Sequence, residues 1–102
     1  MDNQVFLVVE ATPNLSNQDE LNAYSSLAPV LMKKHGGTPV SRYVVESKIG
    51  AGEHPKAIAV ISFPNKESVD NFLVKDPEYQ KLIPLRNEAF SEIHFYVCRE
   101  QV

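Results

Sequence analysis

Residues 57–63 read Ala-Ile-Ala-Val-Ile-Ser-Phe, and this run decides how the rest of the chain is read. It is rich in β-branched side chains and is closed by Pro64-Asn65, which marks it as a strand. Alternation puts Ala57, Ala59, Ile61 and Phe63 on one side and Ile58 and Val60 on the other, so both sides are apolar. Just upstream, Gly50-Ala51-Gly52-Glu53-His54-Pro55 is a flexible connection. Before it, Val40 to Ile49 reads as another strand, with Tyr43, Val45 and Ile49 opposed to Val40, Arg42, Val44 and Glu46. A link this short between two strands implies an antiparallel hairpin.

Working outward, Gln4 to Ala11 is a third β-branched run, ended by Thr12-Pro13-Asn14. Its sides are Val5, Leu7, Val9, Ala11 and Phe6, Val8, Glu10. A helix is expected from Gln18 to His35, with Asn17 and Glu20 placed for a capping box. Leu21, Tyr24, Leu27, Ala28, Leu31 and Met32 form its apolar stripe. Pro29 inside that stripe predicts a kink, and Gly36 suits the left-handed exit. Downstream, Asn65 caps a helix carrying Val69, Phe72 and Leu73, and Asp76-Pro77 restarts it as cap and first helical residue. Tyr79, Leu82 and Ile83 continue the apolar face until Pro84, where a disturbance is expected. Ser91 to Arg99 is the last strand.

The order is βαββαβ. It predicts a single α+β domain over residues 1–102 with the ferredoxin-like arrangement: a four-stranded antiparallel sheet with both helices on one face. A length of 102 residues and 43% hydrophobic composition suit one compact domain. The formal charge of −3 argues against a nucleic-acid partner, which calls for clustered Lys and Arg. No run approaches the ~20 apolar residues of a membrane span. The Val5–Val9 run has no basic segment before it, so no export signal is read. One cysteine, Cys98, permits no intrachain disulfide, and a cytoplasmic location is expected.

Helices cover only one face of such a sheet, and an open face should read polar. Strands one and three do not. Exposing their second face would forgo ~1.5–3 kcal/mol per large aliphatic side chain. A homodimer packed sheet to sheet is therefore expected.

The second half of the chain carries a further pattern. Phe63-Pro64, then Asp76-Pro77-Glu78-Tyr79-Gln80, then Leu85-Arg86 with Ala89, resembles the bacterial family catalogued as domain of unknown function 1330. Tyr24, the helix end at Gly36-Gly37, and Arg42 fall at matching spacing upstream. The chain departs from that pattern at His35, at Tyr43-Val44 and in its last four residues, Arg99 to Val102. The resemblance implies the dimeric α+β barrel superfamily, in which two ferredoxin-like chains join their sheets. Cofactor-free monooxygenases, lactone isomerases and haem-dependent enzymes belong to it.

Candidate chemistry lies where polar side chains meet the expected cavity between helices and sheet. Arg42 alternates with Val40 and Val44, and a guanidinium there needs a carboxylate partner such as Glu46 or Glu10, or an anionic ligand. Tyr24, on the helix stripe, can orient a ligand or donate a proton, or else serve as a core tyrosine. His94 is a candidate base if it faces the cavity, and otherwise a surface or interface histidine. Tyr24, Arg42 and His94 are thus the candidate catalytic residues, with Tyr79 and Arg86 as candidate ligand contacts. Helix docking for Tyr79 and an ion pair for Arg86 are the competing readings. His35, His54 and His94 lack metal-ligand spacing, Gly50-Ala51-Gly52 is no phosphate loop, and no cofactor or metal is called for. The expected activity is that of a cofactor-free enzyme or binder for a small acidic or enolisable compound. The alternative is a noncatalytic dimeric module.

Overall fold

The computed structural model describes residues 3–101. In chain order the elements are β1 (Val5–Pro13), α1 (Gln18–Lys34), β2 (Thr38–Val44), β3 (Ala57–Phe63), α2 (Lys66–Asp70), a π-helical turn (Asn71–Lys75), α3 (Pro77–Ala89) and β4 (Phe90–Cys98). The sheet order is β2-β3-β1-β4, antiparallel throughout, which is the ferredoxin-like topology. The expected second helix exists as three consecutive pieces, joined through the π turn and the Asp76-Pro77 restart.

Register assigns the faces. Leu7 pairs with Ile61 and Val97, and Val9 with Ala59 and Phe95, so these side chains share one face. That face carries the core: Val5, Leu7 and Phe63 pack with Tyr24, Ala28, Leu31 and Met32 of α1 and with Val69, Phe72, Tyr79 and Ala89. The opposite face presents Phe6, Val8, Ile58 and Val60 in its centre, all only part-buried, with Glu10, Tyr43, His94 and Tyr96 around them. No helix among the described residues is long and apolar enough to cross a membrane.

Several local expectations are corrected. β2 ends at Val44, not Ile49, since the next segment pairs only through the Val45 amide on the Lys56 carbonyl and leaves Ile49 fully exposed. A bulge at Val40, next to the donor-less Pro39, shifts register so that Arg42 sits opposite Ala59. Asn17 makes no side-chain cap bond; its Nδ2 instead donates to the Glu88 carbonyl at 2.8 Å. With the Asn14 amide on the Ala89 carbonyl at 2.9 Å, this satisfies two of the orphan acceptors at the end of α3. Neither Pro29 nor Pro84 ends its helix; both stand at exposed positions inside α1 and α3.

The turn after α1 is tight. Gly36 has φ +87°, and a Cβ on Gly37 would sit 2.6 Å from Met32 Cγ and 2.8 Å from Phe63 Cζ. Bare backbone at Gly37 lets β2 start directly under the core.

Candidate functional site

The start of α3 positions the site. Asp76 is its N-cap, and its Oδ1 accepts from the amides of Glu78 at 2.7 Å and Tyr79 at 3.2 Å. Pro77 at the first helical position contributes no orphan donor. This fixes Tyr79, fully buried, so that its ring lies 4.9 Å from Phe72 and its hydroxyl reaches α1. There the Tyr24 and Tyr79 hydroxyls lie 2.7 Å apart. Arg86, seven residues on and on the same helical face, donates from Nη1 to the Tyr79 oxygen at 3.1 Å. The guanidinium carbon stands 5.8 Å from the Tyr79 ring centre and 5.4 Å from that of Phe95 on β4. Phe90 packs edge-on to Tyr24 at 5.5 Å and closes the apolar side.

Electrostatically the cluster is unusual for its lack of a carboxylate. Arg86 is half-buried, makes no ion pair among the described residues, and its buried Nε has no hydrogen-bond partner. Burial pushes the Tyr24 phenol far above its ordinary range, reinforced by Tyr79 and only partly offset by Arg86. Tyr24 therefore stays a neutral hydroxyl, able to donate or accept a hydrogen bond but not to act as a phenolate base.

A second polar cluster adjoins the first. Asp76 Oδ2 accepts from His35 Nε2 at 2.7 Å and from Lys34 Nζ at 3.2 Å, both at the end of α1. The His35 bond, with those from Lys34 and the two amides, holds the Asp76 carboxyl well below the usual carboxylate range despite its burial.

The five candidate residues divide. Tyr24, Tyr79 and Arg86 converge between α1, α3 and β4, and Arg86 faces inward instead of forming a surface ion pair. Arg42 does not join them: it is exposed on the edge strand β2 and has no ion-pair partner among the described residues. His94 lies on the opposite face of the sheet, because it pairs with Glu10 on β1. There it lines a groove of about 630 Å³ with Glu10, His54, Glu92 and Tyr96, and its Nε2 is 3.4 Å from Glu92. No three His, Cys, Asp or Glu side chains among the described residues are grouped to hold a metal ion. Asp76, read from sequence as a helix cap, and His35, read as the last residue of the first helix, are the contributors that spacing did not reveal. Asp76-Pro77 signalled the cap; nothing signalled its partner on another helix.

The geometry can be set beside known structures. A protein of unknown function from Rhodopseudomonas palustris superposes with a TM-score of 0.80 at 12% identity, covering 100% of this chain and 85% of that one. A dimeric ferredoxin-like protein of unknown function from Jannaschia gives 0.70 at 14% identity, covering 95% and 99%. A dimeric protein of unknown function and ferredoxin-like fold from Bacteroides fragilis gives 0.62 at 13%, covering 93% and 94%. At these identities the likeness establishes the fold. No curated protein matches the chain. The family is established by sequence: residues 4–99 match the model of the family described as Domain of unknown function (DUF1330), and the chain belongs to that family.

Proposed function

We propose that this protein acts as a homodimer that binds a small acidic or enolisable organic compound, with Arg86 as the anion-holding group. One observation carries the reading: a half-buried guanidinium bonds the Tyr79 phenol and lies over the Tyr79 and Phe95 rings, with a buried Nε unpartnered and no carboxylate among the described residues to neutralise it. A buried charge without a counter-ion is costly, and an anionic ligand removes that cost. The guanidinium presents a planar fork that matches a carboxylate or an enolised carbonyl. Tyr79, with Tyr24 behind it, supplies hydroxyls for a ligand oxygen. Such a site favours negative charge developing on oxygen, as a cofactor-free reaction through an enolate requires.

The dimer rests on separate support. The chain forms a slab 39 × 35 × 17 Å across, with 6974 Å² of accessible surface. Size scaling for a compact monomer gives about 5,800 Å². The excess, about 1,200 Å², leaves room for one side of an ordinary interface, about 800 Å² per partner. Phe6, Val8, Ile58 and Val60 on the open face supply its apolar centre. Two of the similar folds are themselves described as dimeric. A reducing, cytoplasmic setting suits the single Cys98.

The test is a thermal-shift and NMR screen against benzoate, acetoacetate and similar small acids, run on wild type, Arg86→Met and Arg42→Ala. Binding that survives Arg42→Ala and vanishes in Arg86→Met supports the reading. Absence of any hit, or hits indifferent to Arg86, favours a noncatalytic dimeric module.

A further inference from the structure

Among the polar ties between α1 and α3, two converge on one side chain. The first is the Tyr24–Tyr79 hydroxyl contact at 2.7 Å. The second lies at the end of α1, where His35 and Lys34 grip Asp76 Oδ2 at 2.7 and 3.2 Å. The Asp76 side chain is wholly inaccessible to solvent, and its other oxygen accepts from the amide of Tyr79 itself. His35 also reaches Tyr79 by a second route: its ring lies 6.3 Å from Phe72, and Phe72 lies 4.9 Å from Tyr79. Tyr79 is thus held at its backbone through Asp76 and at its ring through Phe72, with His35 behind both.

The geometry points to Asp76 and His35 as positioning residues for the anion site, setting the Tyr79 hydroxyl against Tyr24 and Arg86. The ligand consequence rests on the function proposed above; the positioning itself does not. Neither residue contacts Arg86, so each acts through Tyr79. The titratable groups facing Asp76 are Lys34 and His35 from the end of α1; Glu78 from α3 approaches Lys34 at 3.7 Å, and Phe72 of the π turn carries no charge. Removing His35 leaves Lys34, half-exposed on a flexible stem, as the sole side-chain partner on Oδ2. The first turn of α3 and the Tyr79 ring are then free to shift.

The experiment compares wild type with His35→Ala, His35→Gln and Asp76→Ser, all as full chains. Serine keeps a cap for α3 but cannot reach His35 and Lys34, while glutamine restores a neutral donor at position 35. The readouts are the Arg86 Nε–H and Tyr79 ring NMR resonances of the folded proteins, and the dissociation constant of benzoate. Positioning predicts displaced Arg86 and Tyr79 resonances in His35→Ala and Asp76→Ser, largely restored in His35→Gln. Benzoate should bind about tenfold more weakly in the first two. A merely structural tie would lower the melting temperature yet leave both resonances of the folded molecule in place, and that result overturns the proposal. If wild type binds no benzoate, the proposed function loses its support, but the resonances still decide the positioning claim. Should Asp76→Ser fail to fold, the two His35 variants carry the comparison.

Discussion

The hydroxyl of Tyr79 is the shared partner of Tyr24, 2.7 Å away on α1, and of Arg86, whose Nη1 donates to it at 3.1 Å. One oxygen in the core thus links two helices and a guanidinium. Removing it strands more than it removes.

Tyr79→Phe should therefore cost more stability than Tyr24→Phe. The first leaves the part-buried Arg86 Nη1 and the buried Tyr24 hydroxyl both unpaired, which predicts about 2–3 kcal/mol, against about 1 kcal/mol for the second. Urea unfolding of both variants checks the order. Equal losses would mean that Arg86 does not depend on Tyr79.

Arg86→Met should behave differently. Methionine fills similar space beside Phe95 and removes an unneutralised charge, so stability should change by less than about 1 kcal/mol or rise. Response to small acids should disappear. A large loss of stability would make Arg86 a structural residue.

Acid sensitivity should trace to Asp76. Its folded carboxyl titrates below its ordinary value of 3.8, so its contribution is present above that value and is lost as pH falls toward the folded one. Asp76→Asn should lower stability at neutral pH and flatten the pH dependence below about pH 4. Chemical denaturation across that range is the measurement. Parallel curves for wild type and variant would assign the acid transition elsewhere.

Gly37→Ala should be destabilising by about 1–3 kcal/mol, because its methyl would meet Met32 Cγ at 2.6 Å and Phe63 Cζ at 2.8 Å. In a Met32→Ala background the same substitution should cost less than in wild type, the contacts with Phe63 and the Met32 carbonyl remaining.

Much of the fold was legible in the sequence. The two-sided apolar pattern of Ala57–Phe63 and of the first strand, with the Asp76-Pro77 restart, was enough for the element order and topology. What escaped depended on events between elements. The bulge beside Pro39 re-registers β2, which no alternation count reveals, and Arg42 stands exposed because β2 is an edge strand. Asn17 looked like a cap, but a carbonyl of α3, 71 residues away, claimed its amide. His94 was placed correctly on a strand, yet its face follows from pairing with Glu10. Tyr24, Tyr79 and Arg86 were legible as candidates from their helical positions, but not as one cluster. Arg86 lacked any signal that its partner would be a phenol and not a carboxylate.

If Arg86 holds an anion, its own atoms must report it. Benzoate and acetoacetate are titrated into the wild-type protein while the Arg86 Nε–H resonance is monitored by NMR. A saturable shift of that resonance is expected, absent with the uncharged benzamide and unaffected by Arg42→Ala. An Arg86 Nε–H resonance that stays fixed while the acids bind elsewhere, or that moves equally with benzamide, would contradict it.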